Sequence, residues 1–173
     1  LPASKVPDSH PEFYPVFEGK HELPPDDEYY QWQPNFSAPG IAEASANEII
    51  AYFEKHPEKQ SYSLGINDSL HFDGSEESKA RRSGAKNSIG LEDISDDYFQ
   101  WTNEVAALVE KKIPGKKFGL LAYLQVLEPP TRVEVDPSIV PFITYENTRW
   151  EDPEYREKME KVTEAWGEAA STL

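Results

Sequence analysis

The chain has 173 residues, with 17 Lys plus Arg against 32 Asp plus Glu and a net charge of −15. Such acidity opposes binding to a nucleic-acid backbone or to an anionic membrane surface, both of which need a positive face. The absence of cysteine removes disulfides, thiolate zinc sites and cysteine nucleophiles together.

The first thirty residues, beginning at Leu1, are crowded with Pro, Asp and Glu, and we read the chain as a piece of a longer polypeptide. HPEFYPVFEGKHE predicts short extended pieces around a turn at Glu18–Gly19. Residues 29–37, YYQWQPNFS, are aromatic and β-prone and predict a strand, broken by Pro39 and Gly40. A helix is expected over residues 45–56, with Ser45 as N-cap, Glu48 as capping-box partner and Ile49, Ile50 and Phe53 as its apolar face. Residues 61–67, SYSLGIN, read as a buried strand. Residues 69–95 are polar and too long for an ordinary connection, so they predict a functional or mobile loop. Its KARRSGAK stretch reads as a solvated basic spot or as a contact for a carboxylated sugar.

A second helix is expected over residues 96–112, capped by Ser95, stopped by Pro114–Gly115, and carrying Phe99, Trp101, Val105, Leu108 and Val109. Buried strands follow at residues 117–125, ended by Glu128-Pro129-Pro130, and at residues 139–146. Pro153 opens a last helix to about residue 170. Apolar runs alternating with helices predict an α/β fold with parallel strands and crossover connections. No apolar run is long enough to span a membrane, and no signal peptide is present.

Parallel strands place their C-terminal ends on one face of the sheet. Those ends are Asn67–Asp68, residues 123–128 and Tyr145–Glu146. Two carboxylates with aromatic platforms suit glycoside hydrolysis, in which one group protonates the leaving oxygen and a second acts as nucleophile or base. The candidate catalytic residues are therefore Asp68, Glu146 and Glu128. The candidate sugar-holding residues are Asn67, Tyr123, Tyr145, Trp150 and Asn35. Each has a plainer reading: Asp68 as a turn cap, Glu128 as a solvated loop residue, the tyrosines as core aromatics with satisfied hydroxyls. NFS at Asn35 and NDS at Asn67 match the glycosylation pattern, although the second ends a buried strand. His10, His21, His56 and His71 lack metal-ligand spacing, and no phosphate loop, nucleophile elbow or dinucleotide fingerprint is present. No metal or cofactor is expected.

HPEFYPVFEGK, QPNFSAPGI, SYSLGINDS and YFQWTNEVAALVEKKIPGKKFGLLAYLQVLEPP resemble, in order and spacing, the DUF4838 family. The likeness runs from about His10 to Glu146. It implies glycoside-hydrolase-like proteins of bacterial polysaccharide-degrading systems, whose domain has no assigned function. It also implies part of a TIM-like (β/α) barrel, of which this chain looks like the middle, its third to sixth strands. A complete eightfold barrel needs about 250 residues, more than are present. Relatives often carry clustered cysteines after the NDS motif; here that stretch is LHFDGSEESKARR. The Asn67–Asp68 pair is also similar to the polar–acidic pair ending the fourth strand of hexosaminidase-type barrels. That likeness would make Asp68 the general acid and Asn67 the group orienting an acetamido substituent.

The expectation is one domain over residues 1–173, the central segment of a larger barrel, that hydrolyses a polysaccharide or glycan. Its partners would be a carbohydrate ligand and other segments of the polypeptide, in a secreted or periplasmic setting. The alternatives are a non-catalytic carbohydrate-binding module using the same aromatic face, and an inactive barrel fragment.

Overall fold

The computed structural model describes residues 10–22 and 32–172. A hairpin, β1 (Val16–Phe17) and β2 (Lys20–His21), turns at Glu18–Gly19 as the sequence predicts. There follow α1 (Ile41–Lys55), β3 (Ser61–Ser63), α2 (Glu76–Arg81), α3 (Ser95–Glu110), β4 (Lys117–Ala122), β5 (Ile139–Ile143) and α4 (Pro153–Ala169). β3, β4 and β5 form one sheet in that order, and both pairings are parallel. The fold is therefore mixed α/β with a parallel sheet. The described residues do not close into a barrel.

Several boundaries differ from expectation, each for a local reason. Of the strand predicted over residues 29–37, residues 29–31 lie outside the described residues, and residues 32–37 form a bend. Pro34 has no N–H to give a ladder, and Asn35 Oδ1 accepts from the Ser37 N–H and hydroxyl at 3.0 and 2.8 Å. α1 begins at Ile41 rather than after Ser45. Gly40 takes φ 84° at its start, and the Ser45 hydroxyl turns back on the Ile41 carbonyl at 2.8 Å. α3 includes Ser95 instead of being capped by it. The Asp93 carboxylate two residues earlier accepts the Ser95 N–H at 2.9 Å.

β3 is cut short because a side chain replaces the ladder. Leu64 N–H still reaches the Gly119 carbonyl at 2.8 Å. Beyond it, the Gln33 amide takes both the Asn67 N–H (3.1 Å) and the Asn67 carbonyl (2.6 Å). β4 stops at Ala122 because Leu124 adopts φ 50° and opens a 3-10 turn, Leu124–Val126. Pro141 fits within β5 because β5 is an edge strand of this sheet, and Thr144 supplies the next ladder bond, to Ala122 at 3.1 Å.

Among the described residues, one face of the sheet is covered and the other is largely open. Phe118, Leu120, Ala122 and Ile139 join a single core with Ile49 and Phe53 of α1, Tyr98, Phe99 and Val105 of α3, and Met159, Val162 and Trp166 of α4. Side chains alternate across a strand, so Gly119, Leu121, Val140 and Phe142 face the other way. There Leu121 is 45% and Phe142 58% exposed. A shallow trough of about 440 Å³ runs over them. Phe142 lies across Gly119, where an added Cβ would come 3.1 Å from its ring.

Candidate functional site

The parallel register brings the C-terminal ends of β3, β4 and β5 to one edge of the sheet. Three of the predicted residues meet there. Tyr123, one residue past β4, lies close enough to Asp68, which follows β3, and to Glu146 for both carboxylates to act on its phenol. Burial raises the Tyr123 pKa above its ordinary value, and the neighbouring Asp68 and the Glu146 charge add to it. Tyr123 is thus a neutral phenol at neutral pH, lying within the field of carboxylates from both flanking strands.

Glu146 is exposed, and its carboxylate lies 3.7 Å from the Arg149 guanidinium. Its backbone N–H donates to the Tyr155 hydroxyl of α4 at 2.7 Å, which fixes where the chain leaves β5. Tyr145 and Trp150 form an aromatic ledge beside it, with ring centroids 5.4 Å apart and planes inclined at 56°. The Tyr145 hydroxyl is tied to Thr163 of α4, and Trp150 remains 38% exposed. The ledge is held in place from below and open above.

The other predicted residues do different work. The Asn67 side chain donates to the Trp32 carbonyl at 2.7 Å, so it pins the chain that precedes α1 against the end of β3. Glu128 is half-buried and engaged elsewhere: its carboxylate accepts the Ser88 N–H at 2.6 Å and its carbonyl accepts the Ser95 hydroxyl at 2.8 Å. Asn35 is 6% exposed and committed to Ser37, which closes it to a ligand in this conformation.

The basic stretch expected to be a loop is a structural centre that sequence reasoning missed. Ser75 caps α2, and its hydroxyl accepts the Ser78 N–H at 3.2 Å. Arg82 is 6% exposed, 3.8 Å from Asp97 and 3.1 Å from Glu92. Arg81 lies 3.9 Å from the same Asp97. Burial pushes Asp97 up to about 6, against the pull of Arg82, Ser78 and Arg81. The signal in the sequence was an Asp-Asp pair at a helix start and an Arg-Arg pair on a neighbouring amphipathic turn. Among the described residues no cluster of His, Asp and Glu could hold a metal ion. No described helix is long and apolar enough to cross a membrane.

A family model described as a domain of unknown function, DUF4838, matches residues 1–173. The chain belongs to the DUF4838 family. No curated protein and no solved structure matches it. For this DUF4838 chain, evidence about activity therefore comes from the site itself: two exposed carboxylates flanking a phenol, with an aromatic ledge alongside.

Proposed function

We propose that this edge belongs to a carbohydrate-acting site that hydrolyses glycosidic bonds in a polysaccharide or glycan. The observation that carries the reading is the meeting of Asp68, Tyr123 and Glu146 at the ends of three adjacent parallel strands. Adjacent strands lie about 4.8 Å apart, so the ends of β3 and β5, two strands apart, are spaced near the upper limit of about 9.5 Å that inverting glycosidases use. A Tyr123 phenol donating to Asp68 would give it the posture of a nucleophile or base more than of the acid that the hexosaminidase likeness implies. Glu146 then takes the acid role. Tyr145 and Trp150 supply faces for sugar rings, and Asn67 shapes the turn that presents Asp68.

The TIM-like barrel remains our reading of the complete fold. In doubly wound sheets helices cover both faces, whereas here the three long helices share one core on one side. An open apolar face on a parallel sheet suits the inner wall of a barrel. Other segments of a longer polypeptide would close it, with any neighbour of β5 pairing around Pro141.

The test is turnover of labelled glycans by the full-length protein and its variants. Asp68→Asn and Glu146→Gln should each lower kcat by about 10²-fold or more while binding persists. Trp150→Ala should weaken binding first. Unchanged turnover in both carboxylate variants would remove catalysis from this edge. A second reading, a non-catalytic glycan-binding surface, is favoured by the exposure of both carboxylates, since a general acid is usually partly buried. It predicts that Asp68→Asn leaves glycan affinity unchanged and that no variant changes a turnover that is absent throughout.

A further inference from the structure

The sheet edge that carries the site has an unusual balance of charge. Three segments follow the strands there: residues 64–72, residues 123–128 and residues 144–152. Together they hold five carboxylates, Asp68, Glu146 and Glu151 with Glu128, tied to Ser88, and Asp152, which caps α4, and one permanent cation, Arg149. That cation is committed. Its guanidinium lies 3.7 Å from Glu146 and 4.0 Å from Asp152, and it sits 4.6 Å over the Tyr155 ring.

Of the other arginines, Arg156 of α4 is exposed and in no ion pair among the described residues, while three are held by acids of α3. Arg81 and Arg82 face Asp97, and Arg132 lies 4.0 Å from Asp96 while donating to the Ala80 carbonyl at 3.2 Å. The lysines of the sheet lie at its opposite end. Lys117 opens β4 and donates to the Pro137 carbonyl at 3.0 Å. Lys116 packs 4.7 Å over the Phe53 ring. A ligand approaching the C-terminal edge meets carboxylates and aromatic faces.

We infer that the site takes a glycan free of carboxylate and sulfate groups, and that polyuronates are excluded. The inference rests on the carbohydrate reading above. Its physical basis is like-charge repulsion between an anionic polymer and this edge, where carboxylates outnumber the one guanidinium. The net charge of −15 adds long-range repulsion to the local one. The Tyr145–Trp150 ledge offers a neutral surface suited to the C–H faces of uncharged pyranose rings.

The test is affinity electrophoresis of the protein through gels containing soluble polysaccharides, in low and in high salt. The panel holds neutral glycans and two anionic polymers, polygalacturonate and alginate, each beside its carboxyl-reduced counterpart. Retardation by a neutral or reduced polymer, at least tenfold stronger than by any anionic one in low salt, is the expected result. Trp150→Ala should abolish that retardation. An anionic polymer that binds more tightly than its reduced counterpart overturns the inference and leaves the carbohydrate reading standing. Migration unaltered by every polymer in the panel removes the carbohydrate reading itself, and the inference with it.

Discussion

Asp97 carries a cost that its neighbours only partly offset. Its carboxylate is buried 3.8–3.9 Å from two guanidinium groups, but neither oxygen receives a hydrogen bond of normal geometry. Desolvation therefore outweighs the ion pairs, and the pKa rises from 3.8 to about 6. Folding then favours the protonated form. That contribution is complete below pH 3.8 and is lost as pH climbs through about 6. Its size is about 3 kcal/mol at most, at ~1.4 kcal/mol per unit. Asp97→Asn should accordingly gain stability relative to the native chain at about pH 8 and gain little at about pH 5. Thermal melts of both proteins at the two pH values measure this, and a difference independent of pH would refute it. Asp93, which burial also shifts upward, acts in the same direction. None of this was legible in a sequence where 32 acidic residues look alike. Which of them lose water is decided by what packs on them.

At the scale of elements, buried acids hold turns and loops to helix ends. Asp96, in the first turn of α3, accepts the Thr131 N–H at 2.7 Å and the Arg132 N–H at 2.8 Å. Asp73 accepts the Val16 N–H at 2.6 Å and so fastens the β1–β2 hairpin to the segment before α2. Asp96→Ala strands two backbone donors and should destabilise the fold by about 2–4 kcal/mol. Asp96→Asn keeps an acceptor and should cost less than half of that in urea unfolding. Beside Asp73, an added Cβ on Gly74 would stand 2.9 Å from the Val16 carbonyl oxygen. Gly74→Ala should therefore cost a further ~1–3 kcal/mol, since backbone must move. Two helices were well marked in the sequence: α3 and α4 lie within two residues of their predicted ends, whereas α1 starts four residues early and α2 falls in the expected loop. The strand over residues 29–37 and the length of β3 were not, because Gln33 and Asn35 use side-chain amides where a ladder was expected. Such bonds depend on which loop lies opposite, and periodicity is blind to that.

For the whole molecule, two features oppose each other. The net charge of −15 keeps copies apart, while the open face around Leu121 and Phe142 draws apolar surfaces together. Salt screens the first and leaves the second. Light scattering should rise with NaCl and near the sequence pI of about 4.6. Leu121→Lys with Phe142→Lys should suppress that rise without lowering the melting temperature by more than a few degrees, because both side chains are largely exposed. Scattering unchanged by these substitutions would place the association elsewhere. By itself the sequence determined the α/β class, the family and the succession of elements from α1 onward except α2, because apolar spacing and breaking residues act locally. It also named Asp68, Tyr123 and Glu146, because a residue that ends a strand is visible in the chain. Only the tertiary structure decided that these three come near one another, since that depends on parallel pairing between segments distant in the chain, Ser61 with Lys117 and Phe118 with Ile139. It also decided that Glu128, Asn35 and the basic stretch serve the fold: a polar side chain's role is set by what lies across from it, and sequence neighbours do not supply that.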